Sequence, residues 1–191
     1  MFAITFHHLI VGIASGTGIL MGICALLAWL GNFVSNLDNF QQSFDKTSLL
    51  SSILCFVCLP LAILSGTYAT SDPGGIAILY NKFVFSGLAI GFTASFIAGR
   101  VRFGENIWND FKLSTLQMIC ASGAMFWIII IGSIGGKITI GESVMDIMPF
   151  WPDFTSTIVL PLWISMVMLV FGIASIIVAL KLGPTIRKIS D

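Results

Sequence analysis

The sequence predicts an all-α integral membrane protein. It reads as one membrane domain, 1–191, a five-transmembrane-helix bundle with the N-terminus outside and the C-terminus cytoplasmic. Three observations carry that prediction. Hydrophobic residues make up 57% of the chain and charged residues 9%, against roughly 25% charged in an average soluble domain. Mean hydropathy is +1.00, and so little charge cannot cover the outside of a fold in water, whereas lipid accepts an apolar exterior. Apolar runs recur at the length of about 20 residues that crosses roughly 30 Å of hydrocarbon. Lys and Arg then divide unevenly between the two ends of those runs.

The first run covers 6–30, interrupted only by His7, His8, Ser15 and Thr17. No basic segment precedes it and no small-residue cleavage pattern follows, so it reads as a retained span and not a signal peptide. A polar segment from Gly31 to Thr47 leads to the second run, 48–69, which holds Pro60. Proline is tolerated within a span when neighbouring helices satisfy the freed carbonyl. Asp72-Pro73-Gly74-Gly75 forms a turn, and the third run covers 81–98. A charged connection with Arg100, Arg102, Glu105, Asp110 and Lys112 leads to the fourth run, 113–134, closed by Gly135-Gly136. The outer connection 137–156 carries Glu142, Asp146 and Asp153 among Ile, Met, Phe and Trp residues, and reads as an interfacial segment over the bundle mouth. The fifth run, 157–182, stops at Gly183-Pro184. Trp127 and Trp151 are expected at the outer interface, and Trp29 and Trp108 at the inner one.

Five spans place the termini on opposite sides. One side carries Lys46, Arg100, Arg102, Lys112, Lys181, Arg187 and Lys188, and the other only Lys82 and Lys137. Positive charge stays cytoplasmic, which sets the orientation. Net charge is zero, so no nucleic-acid partner is implied. His7, His8, Asp72, Lys82 and Lys137 then fall on the outer face, and His7, His8 and Asp72 form the candidate metal cluster.

Small residues at four-residue spacing are abundant. Gly12/Gly16 and Gly18/Gly22 lie in the first span, Cys58/Ala62/Gly66/Thr70 in the second, Gly87/Gly91/Ser95/Gly99 in the third, and Gly132/Gly136 in the fourth. Helices in lipid associate through close backbone packing at such positions. These faces predict a tight bundle and contact with other transmembrane subunits, besides the lipid bilayer and its structural lipids. Cys55-Phe-Val-Cys58 lies mid-span with no charge nearby to stabilise a thiolate. Together with Cys24 and Cys120 it reads as small apolar packing material, and no extracellular disulfide is expected.

His7-His8 opening the first span, Ser65-Gly66-Thr67 with Asp72 closing the second, and Gly135-Gly136 closing the fourth resemble a family of small prokaryotic membrane proteins of unknown function. The likeness covers roughly residues 6–142. That family has four spans, a His motif opening the first, a T-G-x-x-D-like motif after the second, a His opening the third and a Gly-Gly ending on the fourth. This chain has Asn81-Lys82 where the third-span His would stand, lacks the usual His-Pro opening, and adds a fifth run. The resemblance implies architecture more than activity.

Chemistry is sparse. A b-type haem needs axial ligands from separate helices, and the adjacent His7 and His8 point about 100° apart on one helix. Copper or zinc would suit His7 or His8 with Asp72, Glu142, Asp146 or Asp153, and Met145-x-x-Met148 adds sulfur on the same side. No Asp, Glu, Lys or Arg sits mid-run, which argues against a pump, a proton-coupled transporter or an ion channel. No Walker loop, dinucleotide fingerprint or paired nucleophile and base occurs. The expected function is therefore a non-catalytic integral membrane subunit of a larger complex, of respiratory or metal-oxidase type, in the prokaryotic plasma membrane. No cofactor is required by the pattern. The alternative is a haem- or metal-binding protein using the outer cluster around His7 and His8.

Overall fold

The computed structural model describes residues 2–70 and 77–148, together with Val167 and Val170. Asp72, the residues of the fifth run other than those two valines, and the outer connection beyond Met148 lie outside the described residues. Four long helices dominate: α1 (Phe2–Leu30), α3 (Gln41–Ala69), α4 (Ala77–Phe103) and α5 (Phe111–Ile140), with a short α2 (Ser35–Asp38) between the first two. Each of the four is long and apolar enough to cross a membrane. No strand occurs among the described residues.

The helices run up, down, up and down around a ring, so that α1 packs on α3 and α5, and α4 packs on α3 and α5. The α1–α3 contact is the most extensive of the four. Every helix outlasts its predicted hydrocarbon span. Helix α3 begins seven residues before Ser48 and α4 ends five residues after Ala98. Hydropathy marks only the hydrocarbon slab, whereas 29 residues at 1.5 Å per residue reach roughly 43 Å. Gly135-Gly136 does not stop α5, which continues to Ile140 and ends at Gly141 in the left-handed region, φ 76°. Mid-helix glycine costs only about 1 kcal/mol against alanine, and the real stop is the residue whose backbone needs positive φ.

The sequence places Arg100 and Arg102 in a connection, but the structure keeps them in the last turn of α4. Gly104 turns the chain at φ 83°, a 3₁₀ turn covers Glu105–Asn109, and Asp110 caps α5 by accepting hydrogen bonds from the Lys112 and Leu113 amides at 2.9 and 3.0 Å. Arg100 forks onto Asp45 at the start of α3. Its Nε donates to Oδ1 at 2.8 Å and its terminal nitrogen to Oδ2 at 2.7 Å. The Trp108 indole N–H donates to Asp45 Oδ1 at 2.7 Å. Asp45 is 1% exposed and Trp108 2%. The expected interfacial Trp108 is thus a buried donor, placed there because a buried carboxylate needs more partners than one guanidinium supplies. Nearby, Gln41 Nε2 donates to the Ala28 carbonyl, Asn32 Nδ2 to Ser114 Oγ, and Trp29 Nε1 to Thr115 Oγ1, tying α1 and its loop to α3 and α5.

The core divides into layers. Met21, Ala25 and Ala28 of α1 meet Phe96, Ala121 and Ala124 around Trp108. Ile10, Ala14, Cys55, Cys58, Leu59, Ala89 and Ile128 form the middle layer. All four cysteines are free and buried, and Cys55 Sγ donates to the Ala14 carbonyl at 3.5 Å. Trp127, expected at the outer interface, packs its ring on Phe85 at 4.9 Å between centroids, beside Ile130 and Ile134. Buried hydroxyls mostly return to their own helix, Ser48 to Asp45, Ser52 to Leu49 and Thr93 to Ala89. Gln117 instead crosses to the Phe96 carbonyl at 3.1 Å, over the bare Cα of Gly99.

The small-residue faces fall into two groups. A Cβ on Gly18 would strike Ile128, and one on Gly22 would lie 2.7 Å from Met125 Cβ. At Gly12, Gly16, Gly87 and Gly91 nothing among the described residues lies within 4 Å of such a Cβ. Replacing Gly22 with Leu is therefore expected to lower bundle stability by about 1–3 kcal/mol or more. Gly12→Ala is expected to leave it unchanged or raise it by up to about 1 kcal/mol. Reversible unfolding in mixed micelles checks both, and equal losses at the two positions would contradict the assignment.

Candidate functional site

The end of the bundle opposite Asp45 holds a cavity of about 450 Å³ between all four long helices. Helix α1 brings His7 and His8, α3 brings Ala62, Gly66 and Thr70, α4 brings Lys82 and Ser86, and α5 brings Gly132, Gly135 and Gly136. The walls between these polar tips are apolar, with Val11, Leu59, Leu79, Phe83, Ile128 and Ile131.

Glycine makes room for each polar side chain. The His7 ring lies against Gly66, where a Cβ would come within 2.8 Å of Cε1. Lys82 Nζ leans across to α5 and lies 3.3 Å from where a Gly135 Cβ would stand. The Cys58/Ala62/Gly66/Thr70 ladder is thus the seam on which α1 rests, and its fourth rung opens into the cavity. His7 Nδ1 is 3.0 Å from Ser65 Oγ, and Ser65 donates its own hydroxyl to the Ala62 carbonyl at 3.2 Å. With its proton on the Ala62 carbonyl, Ser65 can accept from Nδ1–H, a tautomer that would leave the lone pair on Nε2.

His7 and His8 diverge as their adjacency requires, with ring centroids 6.0 Å apart and planes at 53°. His7 is half-buried and His8 exposed. The third member of the expected cluster, Asp72, lies outside the described residues. Among the described residues no three His, Cys, Asp or Glu side chains converge on one point. Met145 is buried and Met148 exposed, so that pair does not share a face. Lys82 was placed on this side by the sequence, and its position inside the cavity depends on Gly135, a glycine that spacing alone assigned to the end of a span.

After α5 the chain turns back against Gly136, a residue of the cavity lining. Beyond Gly141 the Glu142 carbonyl passes so close to Gly136 that a Cβ there would lie 2.6 Å from it. A 3₁₀ turn, Val144–Ile147, follows, capped by Ser143 and Asp146 in a reciprocal box. Met145 tucks in while Val144 and Ile147 face out at 72% and 84% exposure. Lys137 Nζ holds Asp146 Oδ2 at 2.7 Å.

Compared with known protein families, curated proteins and solved structures, the chain matches none. The likeness drawn from His7-His8, Ser65-Gly66-Thr67 with Asp72, and Gly135-Gly136 stands on those short motifs alone; their described residues meet at one cavity, and Asp72 lies outside the described residues.

The Lys137 ammonium, by hydrogen bonding, holds the Asp146 carboxyl below its usual range, with the Ser143 amide adding to the effect. A depressed folded value means the contact contributes fully above the ordinary carboxylate pKa and is lost as pH falls through the lower one. Protection of the 141–148 amides, taken as the exchange rate relative to the intrinsic rate at each pH, is expected to hold at neutral pH and to fall as pH drops below the ordinary carboxylate value of about 4. In Asp146→Asn the low protection is expected at both pH values; an unchanged pH response in that variant would contradict the assignment.

Proposed function

We propose that this chain is a non-catalytic subunit of a larger membrane assembly in the plasma membrane of a prokaryote. It has five spans in this reading, with the N-terminus outside and the C-terminus cytoplasmic. The grouping of Lys46, Arg100, Arg102 and Lys112 at the Asp45 end supports that orientation, because positive charge favours the cytoplasmic side. The host is expected to be of respiratory or metal-oxidase type.

One observation carries the subunit reading. Gly12/Gly16 on α1 and Gly87/Gly91 on α4 repeat the small-residue spacing of the packed seams, yet among the described residues nothing lies within 4 Å of a Cβ built at any of them. Around them Leu9, Ile23, Val84 and Leu88 face outward, exposed by 39–60%. Only 33–39% of the most apolar window of each span is buried within the bundle. Lipid covers apolar surface at no cost, but it does not select bare backbone at four-residue intervals. A neighbouring helix does, because it gains close van der Waals contact there.

A second reading has its own observation. Metal-ligating histidines commonly donate their other N–H to a fixed acceptor, and His7 Nδ1 is so placed on Ser65. A haem spectrum, or stoichiometric metal lost in His7→Ala and His8→Ala, from protein free of partners would overturn the subunit reading in favour of this one.

Extraction from native membranes into nanodiscs is expected to yield the wild-type chain with other chains in fixed stoichiometry. Gly12→Leu/Gly16→Leu is expected to fold with unchanged thermal stability but to emerge without them. A wild-type chain that emerges alone as a monomer contradicts the reading.

A further inference from the structure

We propose that the cavity at the His7 end binds an anionic amphiphile: a single hydrocarbon chain headed by a carboxylate or a phosphate. The head group lies on Lys82 and the chain runs between the apolar walls of α1, α4 and α5.

The position of Lys82 carries the inference. It is five residues into α4, roughly 8 Å from the start of the helix at 1.5 Å per residue. A lysine at that depth in a lipid-facing helix ordinarily snorkels outward, keeping its ammonium in water. Lys82 instead turns inward and rests its Nζ over Gly135 on the next helix. Arg100 and Lys137 each hold a carboxylate, on Asp45 and Asp146. Among the described residues no carboxylate pairs with Lys82, and the cavity lining contains no Asp or Glu. A half-buried ammonium turned into a cavity whose described lining holds no acid calls for an anion.

The walls state what the anion is attached to. Branched or aromatic side chains line the cavity: Val11, Leu59, Ile128 and Ile131 lie deeper along their helices than His7 and Lys82, and Leu79 and Phe83 flank Lys82 on α4. A free inorganic anion would leave that surface unfilled. About 450 Å³ falls within the range of roughly 300–1,000 Å³ common to small-molecule sites. Thr70 and Thr139 stand at the same end as Lys82 and Ser86 one turn deeper, each hydroxyl donating to a carbonyl of its own helix. Charge at one end and hydrocarbon at the other, near the end of a membrane bundle, match a molecule that already lies in the bilayer with its head at that level. A cationic amphiphile would face Lys82 with like charge, and a neutral hydrocarbon would leave the ammonium unanswered.

The test uses the full chain in nanodiscs and a palmitate carrying a terminal diazirine. Irradiation and peptide mapping are expected to give saturable labelling of the cavity walls. Unlabelled palmitate competes if the head group is a carboxylate, palmitoyl lysophosphatidate if it is a phosphate, and either result supports the proposal. Hexadecylamine is not expected to compete. Lys82→Met is expected to weaken labelling about tenfold or more, the scale of one lost charge-assisted hydrogen bond, whereas Lys82→Arg keeps it close to wild type. Gly132 borders the cavity and a Cβ there meets nothing within 4 Å. Gly132→Leu is therefore expected to abolish labelling by filling the space, without loss of thermal stability, and it decides the matter if Lys82→Met does not fold. Labelling confined to lipid-facing residues, labelling unmoved by both Lys82→Met and Gly132→Leu, or equal competition by hexadecylamine would overturn the proposal. None of these outcomes bears on whether the chain has partner subunits.

Discussion

The bundle depends on one buried ion pair. Asp45 opens α3 and Arg100 closes α4, so their contact fixes two helices against each other at a chosen height. Trp108, in the turn that leads to α5, adds a third element through its indole N–H. The carboxylate therefore receives both oxygens' worth of donors, which a charge removed from water requires. Gln41 and Asn32 extend the polar layer to α1 and the start of α5. Four apolar helices in lipid have little hydrophobic reason to choose one register over another. A polar layer that is satisfied in one arrangement supplies that choice.

The opposite end is built from different materials. There the side chains that reach inward are His7 and Lys82, and what receives them is glycine, Gly66 and Gly135. Removing side chains from α3 and α5 leaves volume that the core layers do not have, and the cavity is that volume. The middle layer, with Cys55 against Ala14 and Gly18 against Ile128, separates the two ends and is closely packed. One end thus sets the register, and the other holds a cavity lined by an imidazole and an ammonium. This division leaves α1 and α4 with outward faces that carry glycine and meet no neighbour among the described residues, the feature on which the proposed association with other spans rests.

Much of this was legible in the sequence, and the exceptions share a cause. Four of the five apolar runs correspond to helices, because about 20 consecutive apolar residues have few alternatives in lipid. The fifth run falls almost entirely outside the described residues. The ends of the helices were not legible, since hydropathy reports the slab and not the helix. Asp45 and Arg100 read as connection residues for that reason: the same letters serve a hydrated loop and a buried pair. Trp108 misled in the same way, its indole suiting an interface as well as a carboxylate. Glycine spacing identified packing faces but not their direction. Gly18/Gly22 turned inward, Gly12/Gly16 outward, and Gly135 proved to be part of a cavity wall where a helix stop was expected. His7 and Lys82 were assigned correctly to one end, yet only the fold shows that both turn into the same space.

The claim that Asp45 and Arg100 act as a unit in setting the bundle is tested most directly by a double-mutant cycle, with stability measured by reversible unfolding in mixed micelles. Asp45→Asn leaves buried Arg100 with only the exposed Glu105 at 3.6 Å, Arg100→Gln leaves Asp45 with only the Trp108 N–H, and each is expected to cost about 3–5 kcal/mol. The double variant removes both charges and is expected to cost clearly less than the two together, with a coupling of about 2 kcal/mol or more. Costs that simply add would contradict the account, because each residue would then be stabilising the bundle through something other than the other.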